Sequence, residues 1–155
     1  MADDPLRVFV DTNILVYAVD RTDGHKNAVA RSIIVHASQT DIVLTQQVLG
    51  EYLNVVRKFD RDVQPALRET AERFERLFIM VPTPKSLLLH AFDRSVRYQL
   101  QYWDALIVSV CLENQVTHLL TEDLQDGQII DGLTVLNPFA EHNRADIDRL
   151  FVAED

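Results

Sequence analysis

The chain has 155 residues, of which 47% are hydrophobic and 25% charged, a balance typical of one globular domain with a sizeable core. The formal net charge is −9, and a single cysteine, Cys111, excludes an internal disulfide. No apolar run approaches the roughly 20 residues that span a bilayer, and the acidic N-terminus lacks the basic and then apolar order of a signal peptide. We therefore expect a cytoplasmic protein with no membrane segment.

Hydrophobic periodicity predicts strands that alternate with helices along the chain. The predicted strands are residues 7–10, 41–45, 78–81, 118–121 and 134–136. The predicted helices are residues 26–38, 46–58, 65–77, 83–98 and 103–114, with a further helix directly after the first strand. This alternation indicates βαβ units and a mostly parallel sheet, hence the α/β class. We expect one domain over residues 1–139, followed by an acidic C-terminal tail over residues 140–155.

The negative charge is concentrated toward the C-terminus. Residues 1–112 carry 14 acids and 13 bases, whereas residues 113–155 carry 10 acids and 2 bases. Contacts to phosphate normally come from Lys and Arg, so the net charge counts against nucleic acid as a partner. The first part of the chain, however, is nearly neutral and could present a basic face. The net charge is therefore only a weak argument against a nucleic-acid partner.

The first strand runs directly into an acid, Asp11. In open α/β sheets ligands bind at the carboxyl ends of the strands, which is where this carboxylate is expected. Asp11 and Asn13 could both serve only as helix caps. A charge placed directly after a fully apolar strand is costly to bury, however, and this favours a functional role.

Three further acids have comparable settings, each with a purely structural alternative. Glu51 lies within an amphipathic helix, where a solvated glutamate is common. Asp104 lies in a helix first turn, where the helix dipole alone favours an acid. Asp123 follows a strand, and both Glu122 and Asp126 compete with it for any role. Together with Asp11 they predict an oxygen-ligated site for a hard divalent cation.

Other kinds of site lack support in the sequence. The five histidines have no metal-ligand spacing, and the four glycines form neither a phosphate-binding loop nor a dinucleotide fingerprint. Ser109 lacks the flanking glycines of a nucleophile elbow. Cys111 lies among apolar residues and is expected to fill the core.

Four motifs in order carry a resemblance to a known family. They are Asp-Thr-Asn at 11–13, Gln-Gln-Val-Leu-Gly-Glu-Tyr at 46–52, Tyr-Trp-Asp-Ala-Leu-Ile-Val at 102–108 and Leu-Leu-Thr-Glu-Asp at 119–123. With Asp-Gly-Leu at 131–133 and Asn-Pro-Phe at 137–139, the chain resembles the PIN-domain ribonucleases. Within these it is most similar to the toxins of bacterial VapBC toxin–antitoxin pairs.

The resemblance implies a Rossmann-like PIN fold and an endoribonuclease that depends on Mg²⁺ or Mn²⁺. It implies acidic metal-site roles for Asp11, Glu51, Asp104 and Asp123, with Thr121 as a polar neighbour. The expected partners are an RNA substrate, a cognate antitoxin and a second copy of the chain in a homodimer.

Two alternatives from other classes remain open at this stage. One is a non-catalytic RNA-binding PIN scaffold, against which the complete set of four acids argues. The other is an aspartate-based phosphatase or phospho-acceptor domain. A phosphatase of that kind would normally carry a second acid at position 13, where this chain has Asn13. A phospho-acceptor domain would need a lysine after a late strand, and the last lysine is Lys85.

Overall fold

The structure is a computed structural model that describes residues 6–151. Within that range six strands form one sheet: β1 (Arg7–Val10), β2 (Asp41–Thr45), β3 (Ile79–Val81), β4 (His118–Leu120), β5 (Ile129–Ile130) and β6 (Leu133–Leu136). The strand order is β3-β2-β1-β4-β6-β5. All neighbouring pairs are parallel except β5 with β6, which is antiparallel. The predicted α/β class with a mostly parallel sheet is confirmed.

The same range contains seven α-helices and two short 3₁₀ turns. The helices are α1 (Thr12–Val19), α2 (Gly24–Val35), α3 (Gln46–Val56), α4 (Gln64–Leu77), α5 (Leu87–Tyr98), α6 (Tyr102–Glu113) and α7 (Arg144–Phe151). The 3₁₀ turns are His36–Ser38 and Glu141–Asn143. None of these helices has the length and apolarity that crossing a membrane requires.

The position of β1 determines where a site can form. The chain builds β2 and β3 on one side of β1, then crosses over through α5 and α6 and adds β4 on the other side. The order of the strands therefore reverses between β1 and β4. The carboxyl ends of these two strands diverge into different helices and loops, which opens a crevice at the topological switch point.

Burial follows from the apolar sequences of the central elements. Strand β1 is buried over Val8, Phe9 and Val10, because helices cover both faces of the sheet. Helix α6 is buried over nearly its whole length, from Ala105 to Cys111, as its apolar composition predicts. Cys111 is completely buried in this helix and belongs to the hydrophobic core. The buried part of α6 thereby fixes the position of its first turn, which carries Asp104.

Two features of local structure differ from the sequence prediction. Helix α5 begins at Leu87 rather than at residue 83, because the carbonyl groups of Pro84 and Lys85 first accept turn hydrogen bonds from Leu87 and Leu88. The hairpin of β5 and β6 was not predicted. Its turn is Asp131-Gly132, with φ angles of 49° and 94°, which suits the two-residue turn of a tight hairpin.

The acidic C-terminal segment is structured up to residue 151. Helix α7 buries Ile147, Leu150 and Phe151, and the ring of Phe151 stacks on His36 with 5.7 Å between centroids. The proposed division between a domain of residues 1–139 and a tail of residues 140–155 stays a prediction. The last four residues of that tail, 152–155, and the acidic N-terminus at residues 1–5 lie outside the described range.

Candidate active site

Asp11 lies at the carboxyl end of β1 and caps α1. Its Oδ1 accepts a hydrogen bond of 2.7 Å from the backbone N–H of Thr12, and its backbone N–H donates to Leu120 of β4. The residue is 8% exposed. Burial raises the pKa of its carboxyl from 3.8 to about 6, against the effect of hydrogen bonds from Thr121 and Thr12 and with added repulsion from Asp123 and Asp104. A carboxylate so expensive to ionise is typical of a functional site.

Thr121 connects Asp11 to the loop after β4. Its buried hydroxyl donates to Oδ2 of Asp11 at 2.8 Å and accepts from the backbone N–H of Asp123 at 3.1 Å. The side-chain amide of Asn13 donates to Oδ2 of Asp123 at 3.1 Å and reaches the Thr121 hydroxyl at 3.4 Å. Thr121 and Asn13 therefore position two acids, Asp11 and Asp123, that follow neighbouring strands.

Glu51 approaches the same region from α3. The hydroxyl of Thr12 donates to its Oε2 at 3.0 Å, and the amide of Gln47 donates to its Oε1 at 3.1 Å. Helix α3 begins directly after β2, with Thr45 as a cap whose hydroxyl accepts from the N–H of Val48. The exposed Glu51 is thus attached to Thr12, the residue that follows Asp11.

Asp104 is half-buried in the first turn of α6. Burial raises the pKa of its carboxyl, and the negative charges of Asp123 and Glu51 raise it further. These electrostatic effects link Asp104 to acids on two other elements, because charges act on one another's pKa only at short range. The structure therefore brings all four predicted acids to one edge of the sheet.

The two acids that competed with Asp123 have other partners. Glu122 accepts from Nζ of Lys26 at 2.7 Å and from the Tyr17 hydroxyl at 2.8 Å. Asp126 is partly buried, yet its pKa lies below 3.8 because Asn137 N–H, His142 and Asn143 hydrogen-bond to it. Both carboxylates hold the loop after β4 in place.

A polar cleft opens beside Asp104 and Asp123. Its volume is about 630 Å³, large enough for a small ligand. It lies between the segment that joins α5 to α6 and the loop that joins β4 to β5. Its lining residues are Tyr98, Gln99, Leu100, Gln101, Asp104, Asp123, Leu124, Gln125 and Gln128. The acids are accessible to a ligand from this side.

The side chains at this edge fit a hard divalent cation in their chemistry. They supply only oxygen donors, which Mg²⁺ and Mn²⁺ prefer. Oδ1 of Asn13 is, among residues 6–151, the buried side-chain polar atom left without a hydrogen-bond partner. Reversing the amide would set its oxygen against the Asp123 carboxylate, and the resulting repulsion favours the orientation in which the N–H donates. The carboxylates of Asp11, Asp104 and Asp123 supply these oxygen donors.

The four carboxylates are not close enough together to surround a metal ion. Among residues 6–151 no three His, Cys, Asp or Glu side chains lie near enough together to hold a metal ion. Four negative charges at one edge oppose close approach of their oxygens.

Three supporting residues were not predicted from the sequence: Thr12, Asn13 in its bridging role, and Gln47. Each acts through a hydrogen bond to an acid rather than through a charge of its own. A signal did exist for the first two, because polar residues directly after a buried strand lie at the sheet edge where ligands bind. No comparable signal exists for Gln47, which lies on a helix surface.

The fold and the position of the acids place this chain among the open α/β proteins, in which ligands bind in a crevice at the carboxyl ends of the strands. Within this class the chain belongs to the PIN domain family, whose sequence model matches residues 8–125. The predicted PIN fold is therefore confirmed. No curated protein matches the chain.

Solved structures with the same fold include three from toxin–antitoxin systems. The VapC20 toxin of Mycobacterium tuberculosis, described as cleaving the sarcin-ricin loop, is 19% identical with a TM-score of 0.57 over 72% of this chain and 86% of its own. The VapBC2 complex of Rickettsia felis, bound to promoter DNA, is 16% identical with a TM-score of 0.60, over 84% of this chain and 97% of its own. A toxin–antitoxin complex from Klebsiella pneumoniae is 17% identical with a TM-score of 0.61, over 84% of this chain and 97% of its own.

Proposed function

We propose that this protein is a Mg²⁺- or Mn²⁺-dependent endoribonuclease and the toxin of a toxin–antitoxin pair that acts in the cytoplasm. The observation that carries the proposal is the arrangement of four acids at the carboxyl edge of a PIN fold. It is supported by structural similarity to a toxin that cleaves the sarcin-ricin loop and to two toxin–antitoxin complexes.

The proposed reaction is hydrolysis of an RNA phosphodiester bond. A bound cation would supply charge neutralisation at the phosphate and a lower pKa for the attacking water. Asp11, Asp104 and Asp123 would hold that cation, and Thr121 keeps the Asp11 carboxylate in one orientation. Glu51, fixed from both sides by Thr12 and Gln47, would orient the attacking water.

The two alternative functions are less consistent with the site. A second acid two residues after Asp11 would suit a phosphatase, but Asn13 occupies that place and its amide serves to hold Asp123. A scaffold that only binds RNA has no need of a buried carboxylate with a pKa of about 6.

The test is a cleavage assay with purified protein and a set of structured and unstructured RNAs. We expect cleavage with Mg²⁺ or Mn²⁺, complete loss of cleavage in EDTA, and recovery when the cation is added in excess. Protein carrying Asp104→Asn, purified in parallel, controls for contaminating nucleases. Cleavage that persists in EDTA would contradict the metal-dependent mechanism.

Two surfaces suit the proposed protein partners. A groove of about 510 Å³ lies between α1, α2 and α4, where Val35 and Leu77 are exposed beside Arg21 and Arg31. An apolar segment with acidic side chains, such as an antitoxin could provide, would complement it. On α5, Leu89, Phe92 and Val96 are exposed at helical spacing and form an apolar stripe suited to a second copy of the chain.

These two surfaces predict opposite effects of matched substitutions. Phe92→Asp should give a monomer that still binds the antitoxin, because a charge on the apolar stripe opposes its burial against a second copy. Leu77→Asp should leave the homodimer intact but weaken antitoxin binding by roughly tenfold or more. Light scattering and co-purification with the protein of the neighbouring reading frame measure both effects. A wild-type monomer at high concentration would contradict the homodimer.

A further inference from the structure

The cleft beside Asp104 and Asp123 is lined by four glutamines. They are Gln99 and Gln101 on one wall and Gln125 and Gln128 on the other. The chain has nine glutamines in all, so nearly half of them border one cleft. The cleft beside the acids is therefore lined mainly by neutral polar side chains.

The side-chain amides of these glutamines are available to a ligand. Within the described residues none of these four side-chain amides makes a hydrogen bond, whereas the amides of Gln47 and Gln64 elsewhere do. Each amide offers two N–H donors and one oxygen acceptor. A ligand that enters the cleft therefore meets a full set of donors and acceptors.

The walls that carry the amides are held rigidly. One wall ends α5, where Gln99 adopts a left-handed conformation with φ of 55°. In the other wall the N–H of Val135 donates to the carbonyl of Gln128. The two walls are tied together at Asp131, which accepts from the Tyr98 hydroxyl at 2.6 Å and from Nε of Arg94 at 3.0 Å. A preorganised site of this kind can discriminate between ligands.

The lining chemistry favours a nucleobase over a phosphate group. No Lys or Arg lines the cleft, and its charged residues are the two acids, Asp104 and Asp123. Away from the two acids proposed to hold the cation, the cleft therefore offers a phosphate no positive charge, whereas its amides can hydrogen-bond to the edge of a neutral base. Sequence-specific proteins read unpaired bases in RNA through hydrogen bonds to their edges, and a glutamine amide can pair with two atoms of one edge.

Adenine is the base that fits amides best on geometric grounds. Its N6 group donates while N1 and N7 accept, so both of its hydrogen-bonding edges present one donor beside one acceptor. An amide matches each of these edges with two hydrogen bonds. Guanine offers such a pair on its Watson–Crick edge but not on its Hoogsteen edge, because O6 and N7 there both accept.

We propose that this glutamine cleft binds an unpaired adenine next to the phosphate that is cleaved, and thereby sets the base preference of the enzyme. The proposal rests on the proposed ribonuclease function. It accounts for base recognition by a protein whose net charge is −9, since amides need no positive charge to bind a neutral base.

The first experiment maps cleavage sites in a randomised single-stranded RNA pool with Mg²⁺. We expect wild-type protein to favour adenine at one position beside the cut. Gln101→Leu together with Gln125→Leu should lower that preference by roughly tenfold, the value of one good two-point base contact. The loss should appear as a higher KM for the preferred RNA, with kcat nearly unchanged. A base preference that is unchanged in this variant, or a wild-type preference for another base, would overturn the proposal.

The matched control is a pair of glutamines with the same backbone conformation. Gln99 and Gln115 have φ angles of 55° and 56° and both follow the end of a helix, but Gln115 lies outside the cleft. Gln99→Ala should reduce adenine preference and Gln115→Ala should not, although both residues have nearly the same positive φ. Thermal melts of all variants show that each is folded. Equal effects of the two substitutions would overturn the proposal.

The second experiment measures binding without cleavage. Protein carrying Asp11→Asn is titrated with labelled oligo-adenylate, oligo-uridylate and oligo-cytidylate, and fluorescence anisotropy gives each affinity. Tighter binding of oligo-adenylate that disappears with the two leucine substitutions supports the base site, even if no RNA is cleaved and the proposed function fails. Equal affinity for the three oligomers would overturn the base site even if the enzyme cleaves RNA.

Discussion

Replacing Asp11 with Asn is expected to reduce RNA cleavage by at least about 100-fold, since even residues that only orient metal ligands contribute roughly 10- to 100-fold. The folded structure should persist. Asn is as good a helix cap as Asp, and its Oδ1 can still accept from the N–H of Thr12. Asp104→Asn should cause a loss of the same order. Initial rates on one RNA at saturating Mg²⁺ measure both.

Asp23→Asn is the control that separates capping from chemistry. Asp23 caps α2, where its side chain accepts from the N–H of Lys26 as that of Asp11 does from Thr12. It lies away from the four acids, and Asp23→Asn should retain full activity. Full activity of Asp11→Asn and Asp104→Asn would refute the site assignment. An equal loss in Asp23→Asn would show that cap integrity, and not the acid cluster, accounts for the effect.

The stability of the metal-free protein should depend on pH through Asp11. Its folded-state pKa of about 6 exceeds the unfolded value of 3.8, so the folded state binds the proton more tightly. The stabilisation from that proton is complete below pH 3.8 and is lost as the pH rises through about 6. The loss is roughly 2–3 kcal/mol in the free energy of unfolding, at 1.36 kcal/mol for each pKa unit.

Comparison with Asp11→Asn isolates this contribution. In EDTA the variant and the wild type should be about equally stable near pH 4, and near pH 8 the variant should be more stable by roughly 2–3 kcal/mol. Denaturant titrations at the two pH values measure the difference, and the carboxylates that do not interact with Asp11 cancel because both proteins share them. Adding Mg²⁺ at pH 8 should stabilise the wild type more than the variant. A wild type that exceeds the variant in stability at pH 8 without metal would contradict the burial cost assigned to Asp11.

Local sequence was sufficient for the elements that carry the most direct signals. Strand β1 is predictable because an apolar run of this length favours a buried strand. Asp11 is recognisable as a candidate site residue because it directly follows that run. The cap of α3 at Thr45 and the apolar sequence around α6 likewise depend on neighbours in the chain. The tight Asp131-Gly132 turn was also within reach, since Asp-Gly between apolar residues is a strong hairpin signal.

The choice among Glu122, Asp123 and Asp126 could not be made locally. All three lie within five residues on one loop, and they differ only in what distant elements bring to them. Tyr17 from α1 and Lys26 from α2 hydrogen-bond to Glu122, while Asn137 and Asn143 hydrogen-bond to Asp126. Asp123 is left facing Asn13 and the other acids, although its sequence context is no different.

The burial of the acidic C-terminal segment could not be predicted from local sequence either. Its composition indicates an acidic tail beyond the domain, yet Ile147, Leu150 and Phe151 lie on one face of α7 and are buried. Three apolar residues among many charged ones are too weak a signal to predict a buried helix. The helix is buried because it packs near His36, which stacks on Phe151, and Thr40, which donates to the carbonyl of Leu150.

The sequence therefore specifies which residues belong to strands and helices and which acids end them, because burial and capping depend on residues a few positions apart. The tertiary structure decides which of those acids face one another and which are neutralised by partners. It also decides that Gln99 and Gln101 face Gln125 and Gln128 across one cleft. Such juxtapositions follow from strand order and helix packing, and residues more than 20 positions apart leave no periodic trace of them in the chain.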